Sequence, residues 1–149
     1  MKRKKVLFVC TGNTCRSPMA EAIFRSEIKK RKIKFVDTAS AGIFAQDSVA
    51  INAHSAECLT ALGIDFSKFK PRQLKHTMIE ASYLVICMTA GQKELLDGFE
   101  NVQSMREICG FDIPDPYGCD LDTYRRTADL LRRAVDMIIE KYFLPAQTL

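Results

Sequence analysis

The chain has 149 residues, 47% of them hydrophobic, which suits one compact domain over residues 1–149 with a single core. The net charge of +4 comes from 22 basic residues dispersed among 18 acidic ones, with no basic stripe studded with aromatics, so nucleic-acid binding is not expected. The longest apolar runs are too short to cross a bilayer, and the basic N-terminus lacks the apolar stretch of a signal peptide. We therefore expect a cytoplasmic protein that has no membrane partner.

The first half of the chain alternates strand and helix patterns. "VLFVC" (6–10) is a continuous apolar run typical of a strand buried on both faces of a parallel sheet. From Ser17, a candidate cap, apolar residues recur at helical spacing: Ala20, Ile23, Phe24 and Ile28. "KFVDTASAG" (34–42) predicts a second strand, and "NAHSAECLTALG" (52–63) predicts a helix stopped by Gly63 in a left-handed conformation.

The second half continues the alternation. "YLVICM" (83–88) predicts an apolar strand, "TAGQKELLDG" (89–98) a capped short helix ending at Gly98, and residues 102–105 a short strand. A long last helix is predicted to begin near Asp122, with an apolar stripe of Leu130, Leu131, Ala134, Val135, Ile138 and Ile139. The pattern predicts an α/β domain whose parallel sheet is covered on both faces and binds ligands at the carboxyl ends of its strands.

The six cysteines include no C-x-x-C pair, and only two histidines accompany them, so no zinc site is expected. Cys58 and Cys87 lie in helix and strand patterns, where we expect small buried hydrophobes. Cys10 and Cys15 do not fit that interpretation, because they lie in a predicted turn.

That turn, within "VCTGNTCRSP" (9–18), predicts an oxyanion-binding loop between the first strand and the first helix. Gly12 and Asn13 tolerate positive φ and let a short loop curl, so that successive backbone N–H groups face inward beside a helix N-terminus. Arg16 adds a planar fork that matches two phosphate oxygens. We expect phosphate or a similar oxyanion to bind against Thr11, Gly12, Asn13, Thr14 and Cys15.

Cys10, at the end of the first strand, is the predicted nucleophile beneath that loop. The N–H groups, Arg16 and the Ser17 hydroxyl are expected to lower its pKa from ~8.5 into the range ~3.5–7.5. A thiolate there would attack a phosphoryl group in line, while the loop and Arg16 hold the charge of the transition state.

The leaving group then needs an acid, and "DIPDPYG" (112–118) offers two aspartates. We favour Asp115 over Asp112, because the prolines on either side of Asp115 fix its direction. A doubly charged substrate nearby would raise the pKa of Asp115 above ~3.9 and help it hold a proton. After the first step it would activate water against the phosphocysteine.

These residues resemble the low-molecular-weight protein phosphatase family. The likeness runs nearly end to end and includes "VCTGNTCRSPMAEAIF" (9–24), "SAG" (40–42), "PRQL" (71–74), "YLVICM" (83–88) and "DPYG" (115–118). The resemblance implies a three-layer, phosphatase I-like fold with a four-stranded parallel sheet, a phosphorylated protein substrate, and no metal or organic cofactor.

The resemblance also implies a role for each residue of the motif: Cys10 as nucleophile, Arg16 as phosphate clamp, Ser17 as stabiliser of the thiolate, Asn13 as the residue that holds the loop in shape, and Asp115 as general acid and then base. It implies, further, that the second loop cysteine pairs with the nucleophile when oxidised and so protects it.

Two positions bear on the substrate. Thr14 stands where tyrosine phosphatases of this family usually carry an aliphatic residue, and its hydroxyl can accept a hydrogen bond from a guanidinium. The loop thereby resembles the branch that removes phosphate from arginine, with a preference of only ~1–3 kcal/mol over a tyrosine substrate. Gly118 follows Tyr117 where animal members often place a second aromatic, and Tyr117 is the expected wall of the cleft. A tyrosine phosphatase remains the alternative.

Two other classes are weighed against a phosphatase. Thiol-linked arsenate reductases share the fold and the C-x5-R loop, but they need a closely spaced cysteine pair, which Cys87, Cys109 and Cys119 do not provide. A non-catalytic phosphoprotein-binding module would have lost its nucleophile or its acid, and this sequence retains both.

Overall fold

The computed structural model describes residues 3–46 and 50–144, in which four strands form one parallel sheet ordered β2-β1-β3-β4. The strands are β1 (Lys4–Cys10), β2 (Val36–Gly42), β3 (Leu84–Cys87) and β4 (Val102–Ser104). In the register of the sheet, Cys10 pairs with Gly42 and Val9 with Cys87, so the carboxyl end of β1 lies between two neighbours. The predicted four-stranded parallel sheet is confirmed.

Helices cover both faces of this sheet: α1 (Arg16–Lys30), α2 (Ala53–Ala61), α3 (His76–Glu80), α4 (Ala90–Glu94), α5 (Met105–Cys109) and α6 (Leu121–Tyr142). The alternation of side chains along β1 sends Val6 and Phe8 into the core under α1 and α6, and Leu7 and Val9 into the core that Ile79 of α3 completes. The three-layer α/β/α arrangement is confirmed.

Several element boundaries differ from the prediction. Helix α1 begins at Arg16 and has no side-chain cap, because the Ser17 hydroxyl bonds the Cys10 sulfur instead. Helix α4 ends at Glu94, so Gly98 lies in the turn beyond it with φ +94°. Helices α3 and α5 were not predicted, since five residues are too few to show a period. The last helix begins close to the predicted position, capped by Asp120, which accepts a hydrogen bond from the Thr123 N–H.

The cysteine predictions are partly wrong. Cys58 and Cys87 are buried as expected, but Cys10 and Cys15 are buried too, with 2% and 6% exposure. Cys10 is the last residue of β1 and lies under the loop, whereas the Cys15 sulfur is 3.4 Å from the Tyr124 hydroxyl, inside the core. Both cysteines therefore lie inside the protein, although the sequence around them predicts a turn.

Helices α1 and α2 end in the same hydrogen-bonding motif. In α2 the Ile64 N–H donates to the Leu59 carbonyl, and Gly63 has φ +69°, as predicted. In α1 the Ile33 N–H donates to the Ile28 carbonyl, and the left-handed position, at φ +57°, is occupied by Lys32. Glycine is the usual residue at that position, because a Cβ strains it.

Other predictions concern what the chain lacks. Within residues 3–46 and 50–144, no helix is long and apolar enough to span a membrane. The described residues likewise contain no group of three or more His, Cys, Asp or Glu side chains arranged to hold a metal ion. A single domain over residues 1–149 and a cytoplasmic location stay predictions.

Candidate active site

A pocket of about 340 Å³ opens at the carboxyl end of β1. Its lining contains every predicted site residue except Asn13 and Ser17, and the two further residues Phe44 and Gln46: Cys10, Thr11, Gly12, Thr14, Cys15, Arg16, Phe44, Gln46, Asp115 and Tyr117. Asn13 and Ser17 are fully buried behind the loop, so any effect they have on a bound group is exerted through the loop. The topology thus brings together two segments about a hundred residues apart.

The loop between β1 and α1 turns its carbonyls away from the pocket toward neighbouring chain segments. The carbonyls of Cys10 and Thr11 accept from N–H groups that follow β2, and the Thr14 carbonyl accepts from the Asn52 N–H at 2.9 Å. The Cys15 carbonyl accepts from the Ser55 hydroxyl at 3.3 Å. None of the N–H groups of Thr11, Gly12, Thr14 and Cys15 donates to another described residue, which leaves them for an anion.

Asn13 gives the loop its curl. Its φ is +56°, whereas Gly12, the other residue that tolerates positive φ, does not adopt it. Hydrogen bonds at both the oxygen and the nitrogen fix the orientation of the Asn13 side-chain amide. Oδ1 accepts from the Arg72 N–H at 2.9 Å, and Nδ2 donates to Ser17 Oγ and Ser40 Oγ at 2.8 and 2.9 Å. An asparagine tolerates this backbone region because its short polar side chain finds such local partners.

The Cys10 sulfur has two hydrogen-bond partners. The Asn13 N–H donates to Sγ at 3.3 Å, and the Ser17 hydroxyl oxygen lies 2.9 Å away. Ser17 Oγ also accepts from the Asn13 amide, and it keeps one proton that it can donate to the sulfur. The Asn13 N–H and the Ser17 hydroxyl can thus both donate to the Cys10 sulfur.

Glu21 fixes the direction of these bonds from behind. Its carboxylate accepts the Ser40 hydroxyl proton at 2.6 Å and is paired with Arg25 at 2.8 Å, although only 6% of Glu21 is exposed. Since a carboxylate has no proton to give, Ser40 must accept from Asn13 rather than donate to it. A chain of oriented hydrogen bonds therefore runs from Glu21 to the Cys10 sulfur. Glu21 and Ser40 were not predicted, because sequence spacing does not indicate which strand end lies against the loop.

The Arg16 side chain lies at the inner side of the pocket, and its guanidinium group is only partly hydrogen-bonded. One terminal nitrogen donates to the Ile113 carbonyl at 3.0 Å, and the other lies 3.7 Å from Asp115 Oδ2. Its Nε is buried and has no hydrogen-bond partner among the described residues. A buried guanidinium nitrogen without an acceptor is costly, and an oxyanion in the loop would supply that acceptor.

The two candidate acids have different surroundings. Asp115 lines the pocket, is about half exposed, and accepts the Tyr117 N–H at 3.0 Å. Asp112 lies outside the pocket lining, where it bonds Arg106 at 2.9 Å and accepts the Ala90 N–H at 3.0 Å. The hydrogen bond from Arg106 lowers the pKa of Asp112, which opposes a role as proton donor. Of the two aspartates, Asp115 lies in the lining of the pocket and Asp112 does not, and the role of Asp115 as the acid stays a prediction.

Because Gly42 has no side chain, the loop between β1 and α1 can pack directly against the end of β2. A Cβ atom at Gly42 would lie 2.8 Å from the Thr11 carbonyl oxygen and 2.9 Å from the Asn13 nitrogen. A second support comes from Gln92 of α4, whose Nε2 donates to Thr11 Oγ1 at 3.2 Å. Neither residue was predicted to act on the site, although Gly42 ends the strand paired with β1.

Exposed aromatic rings form the outer walls of the pocket. Tyr117 is 74% exposed, as expected of a wall, and Phe44 is 69% exposed and was not predicted. Thr14 lies deeper and is half-buried, with its hydroxyl 3.8 Å from the Cys15 sulfur. Burial raises the pKa of Cys15, so this second loop cysteine stays a thiol at neutral pH.

The chain belongs to the low molecular weight phosphotyrosine protein phosphatase family, which it matches over residues 5–143. A protein-arginine-phosphatase of Geobacillus stearothermophilus is 32% identical over 145 residues, which cover 92% of this chain and 95% of the relative. The crystal structure of a low molecular weight protein tyrosine phosphatase from T. tengcongensis is 36% identical, with a TM-score of 0.87, and the match covers 93% of this chain and 99% of that one.

A structure of the YwlE arginine phosphatase with a phosphorylated active-site serine in place of a cysteine is 31% identical, with a TM-score of 0.87 over 92% of this chain and 94% of that one. The predicted family is thereby confirmed, and the chain is a cysteine-dependent protein phosphatase. Since its relatives include both arginine and tyrosine phosphatases, the substrate amino acid must be inferred from the pocket.

Proposed function

We propose that this phosphatase hydrolyses phosphoarginine in proteins through a phosphocysteine intermediate on Cys10. The observation that carries the proposal is Thr14 in the pocket lining, where its hydroxyl makes only a weak contact with sulfur at 3.8 Å. That oxygen retains lone pairs for an N–H of a planar guanidinium. An aliphatic side chain at this position would offer a phenyl ring an apolar wall and a guanidinium nothing to bond.

In the first step the Cys10 sulfur attacks phosphorus, the S–P bond forms and the P–N bond breaks. The N–H groups of the loop and Arg16 hold the three equatorial oxygens, whose charge grows in the transition state. The unpartnered Nε of Arg16 supports this role, because it is a buried donor close to where those oxygens would lie. The Ser17 hydroxyl, 2.9 Å from the Cys10 sulfur, is placed to donate a hydrogen bond to the attacking thiolate.

Asp115 gives its proton to the guanidine nitrogen as the P–N bond breaks. A guanidine is strongly basic, so it leaves readily only when protonated. In the second step Asp115 takes a proton from water, the water oxygen attacks phosphorus, and the S–P bond breaks to release phosphate and the Cys10 thiolate. Its place in the lining of the same pocket as Cys10 supports both roles.

The aromatic walls suit either substrate. A guanidinium stacks on aromatic faces, and Phe44 and Tyr117 are both exposed enough to offer one. The same two rings favour a phenyl group, so phosphotyrosine is the second candidate substrate. Thr14, not the walls, separates the two hypotheses.

An arsenate reductase relay finds no support in the other cysteines. Burial raises the pKa of Cys87 to about 12 and that of Cys109 to about 11, so neither forms a thiolate at neutral pH. Cys87 is fully buried in the sheet, and the Cys109 thiol donates to the Ala134 carbonyl in the core. Of the six cysteines only Cys119 is exposed, and a relay needs a pair.

The test compares phosphoarginine and phosphotyrosine peptides of the same sequence on wild type, Thr14→Ile and Thr14→Val. The valine variant keeps the shape of threonine and removes only the hydroxyl. We expect both variants to lose the phosphoarginine preference, by roughly 10–200-fold in the ratio of kcat/KM values. Unchanged ratios would refute the arginine assignment, and activity that survives Cys10→Ser would refute the mechanism.

A further inference from the structure

A second concave surface lies at the opposite end of the sheet from the catalytic pocket. Here β1 and β2 begin and α1 ends, around a groove of about 400 Å³. Four of its lining residues, Arg3, Lys29, Lys32 and Lys34, are exposed cations, and we name this surface the basic groove. The seven residues of β1 separate it from Cys10 by about 20 Å, so it belongs to no part of the phosphate site.

The charge of the basic groove is not neutralised within the fold. Arg25, also in the lining, is satisfied by Glu21 at 2.8 Å and by the Thr38 carbonyl at 2.9 Å. The carboxylate of Asp37 accepts the Thr38 N–H at 2.8 Å. For the four exposed cations, no carboxylate of residues 3–46 or 50–144 lies within 4.0 Å.

A favourable interaction with the dipole of α1 explains only part of the positive charge of the basic groove. Lys29 lies in the last turn of α1, where a cation favours the helix dipole. Arg3 precedes β1 and Lys34 precedes β2, so neither gains from that dipole. Two separate chain segments, at Arg3 and at residues 29–34, therefore converge on one surface with charge of the same sign.

Lys32 carries a conformational cost at this surface. It has φ +57° at the end of α1, whereas α2 ends in the same motif with Gly63 at φ +69°. The left-handed position thus holds glycine at the end of α2, whereas at the end of α1, where the turn faces the basic groove, it holds a strained lysine. A strained backbone that carries a charged side chain indicates a use for that side chain.

The floor of the groove is apolar, which narrows the class of ligand. Ile28 and Val36 are buried beneath the cations, and Ile33 is half-buried between them. An aliphatic side chain fits such a floor, with carboxylates on either side of it meeting the lysines. Single-stranded nucleic acid is disfavoured, because among the residues that the structure describes no aromatic side chain lines the groove to stack a base.

We infer that the basic groove binds an acidic protein segment in which aliphatic residues stand between carboxylates. Binding there leaves the catalytic pocket open, so one protein can occupy both sites through segments far apart in its own chain. The inference stands on the groove alone and holds whichever phosphoamino acid the pocket accepts.

The test uses a fluorescently labelled peptide of glutamates with two leucines, titrated with the full-length protein at low salt. The double variant Lys29→Glu, Lys34→Glu is compared with Lys68→Glu, Lys70→Glu, which changes the charge equally at exposed lysines outside the groove. We expect the groove variant to bind the peptide roughly tenfold more weakly or worse and the control to match wild type. Binding should also fall as salt is raised.

Lys32→Gly is the sharpest variant, since it should raise the melting temperature and yet weaken peptide binding. Equal losses in the groove and control variants would overturn the inference, because they would indicate a general attraction to a basic protein. Equal affinity for a peptide without leucines would overturn the role of the floor, and tighter binding of a uridine oligonucleotide would overturn the choice of partner. Hydrolysis of an aryl phosphate should be unchanged in every variant, which separates this test from that of the catalytic pocket.

Discussion

A single methyl group at Gly42 is expected to disable the enzyme without unfolding it. The added Cβ would lie 2.8 Å from the Thr11 carbonyl oxygen and 2.9 Å from the Gly12 carbonyl carbon, where ordinary contact begins near 3.4 Å. These are backbone atoms, and the Thr11 carbonyl is already held by the Phe44 N–H at 2.8 Å, so no side chain can turn away to relieve the contact. The loop must therefore move by about 0.6 Å relative to β2.

Such overpacking costs ~1–3 kcal/mol of stability. A shift of this size in groups that surround the reacting phosphorus is more serious, because misplacement by about 1 Å can cost ~100-fold in rate. We expect Gly42→Ala to lower kcat/KM for an aryl phosphate by roughly 10–100-fold, while urea unfolding stays cooperative.

Gly91→Ala is the matched control, since its Cβ would meet nothing closer than Thr89 Oγ1 at 3.9 Å. Because Gly91 lies inside α4, alanine there should raise stability by ~0.5–1 kcal/mol and leave the rate unchanged. Wild-type kcat/KM in Gly42→Ala would refute the close packing of β2 against the loop.

Three further predictions follow from the acids and from the end of α1. Asp115→Asn should lower kcat by ~10²–10⁴-fold with little change in inhibition by phosphate, and equal loss in Asp112→Asn would contradict the assignment of the acid. Arg106 lowers the pKa of Asp112 below 3.8, so the Arg106–Asp112 pair stabilises the fold above pH 3.8, and this stabilisation is lost as the pH falls through the lowered pKa. The unfolding free energies of wild type and Asp112→Asn should therefore converge at low pH, once Asp112 is protonated. Lys32→Gly should stabilise the protein by ~1 kcal/mol in thermal unfolding, whereas Lys30→Gly, at the last residue of α1 where φ is not positive, should give no such gain.

The strands and long helices were predictable because their signals are local. Residues 6–10 are uniformly apolar since both faces of β1 are covered, and the stripe along α6 repeats over 22 residues. The left-handed end of α2 was predictable for a similar reason, because Gly63 meets a local backbone requirement. Helices α3 and α5 gave no such signal at five residues each.

The chemistry of the loop was predictable in its residue types and less so in its geometry. Gly12 and Asn13 both tolerate positive φ, and only the Arg72 N–H bound to Asn13 Oδ1, from a segment 59 residues away, fixes which of them adopts it. Similarly, the sequence favours Asp115 over Asp112 only through the prolines on either side of Asp115, and it shows no partner of either carboxylate. The difference arises from Arg106, which is close to Asp112 in the fold and engages its carboxylate.

Ser17 shows why the remaining contacts lay beyond local reasoning. A serine at a helix start is normally a cap, and its hydroxyl would then accept from the helix backbone. Here the hydroxyl accepts from the Asn13 amide, whose orientation Ser40 and Glu21 fix, and its oxygen lies 2.9 Å from the Cys10 sulfur. The sequence contains each donor and acceptor, but the direction of the hydrogen bonds through Ser40 and Asn13 depends on the buried carboxylate of Glu21. No local sequence pattern connects Glu21 to the nucleophile. The reactivity of Cys10 is in this sense a property of the packing between α1 and β2.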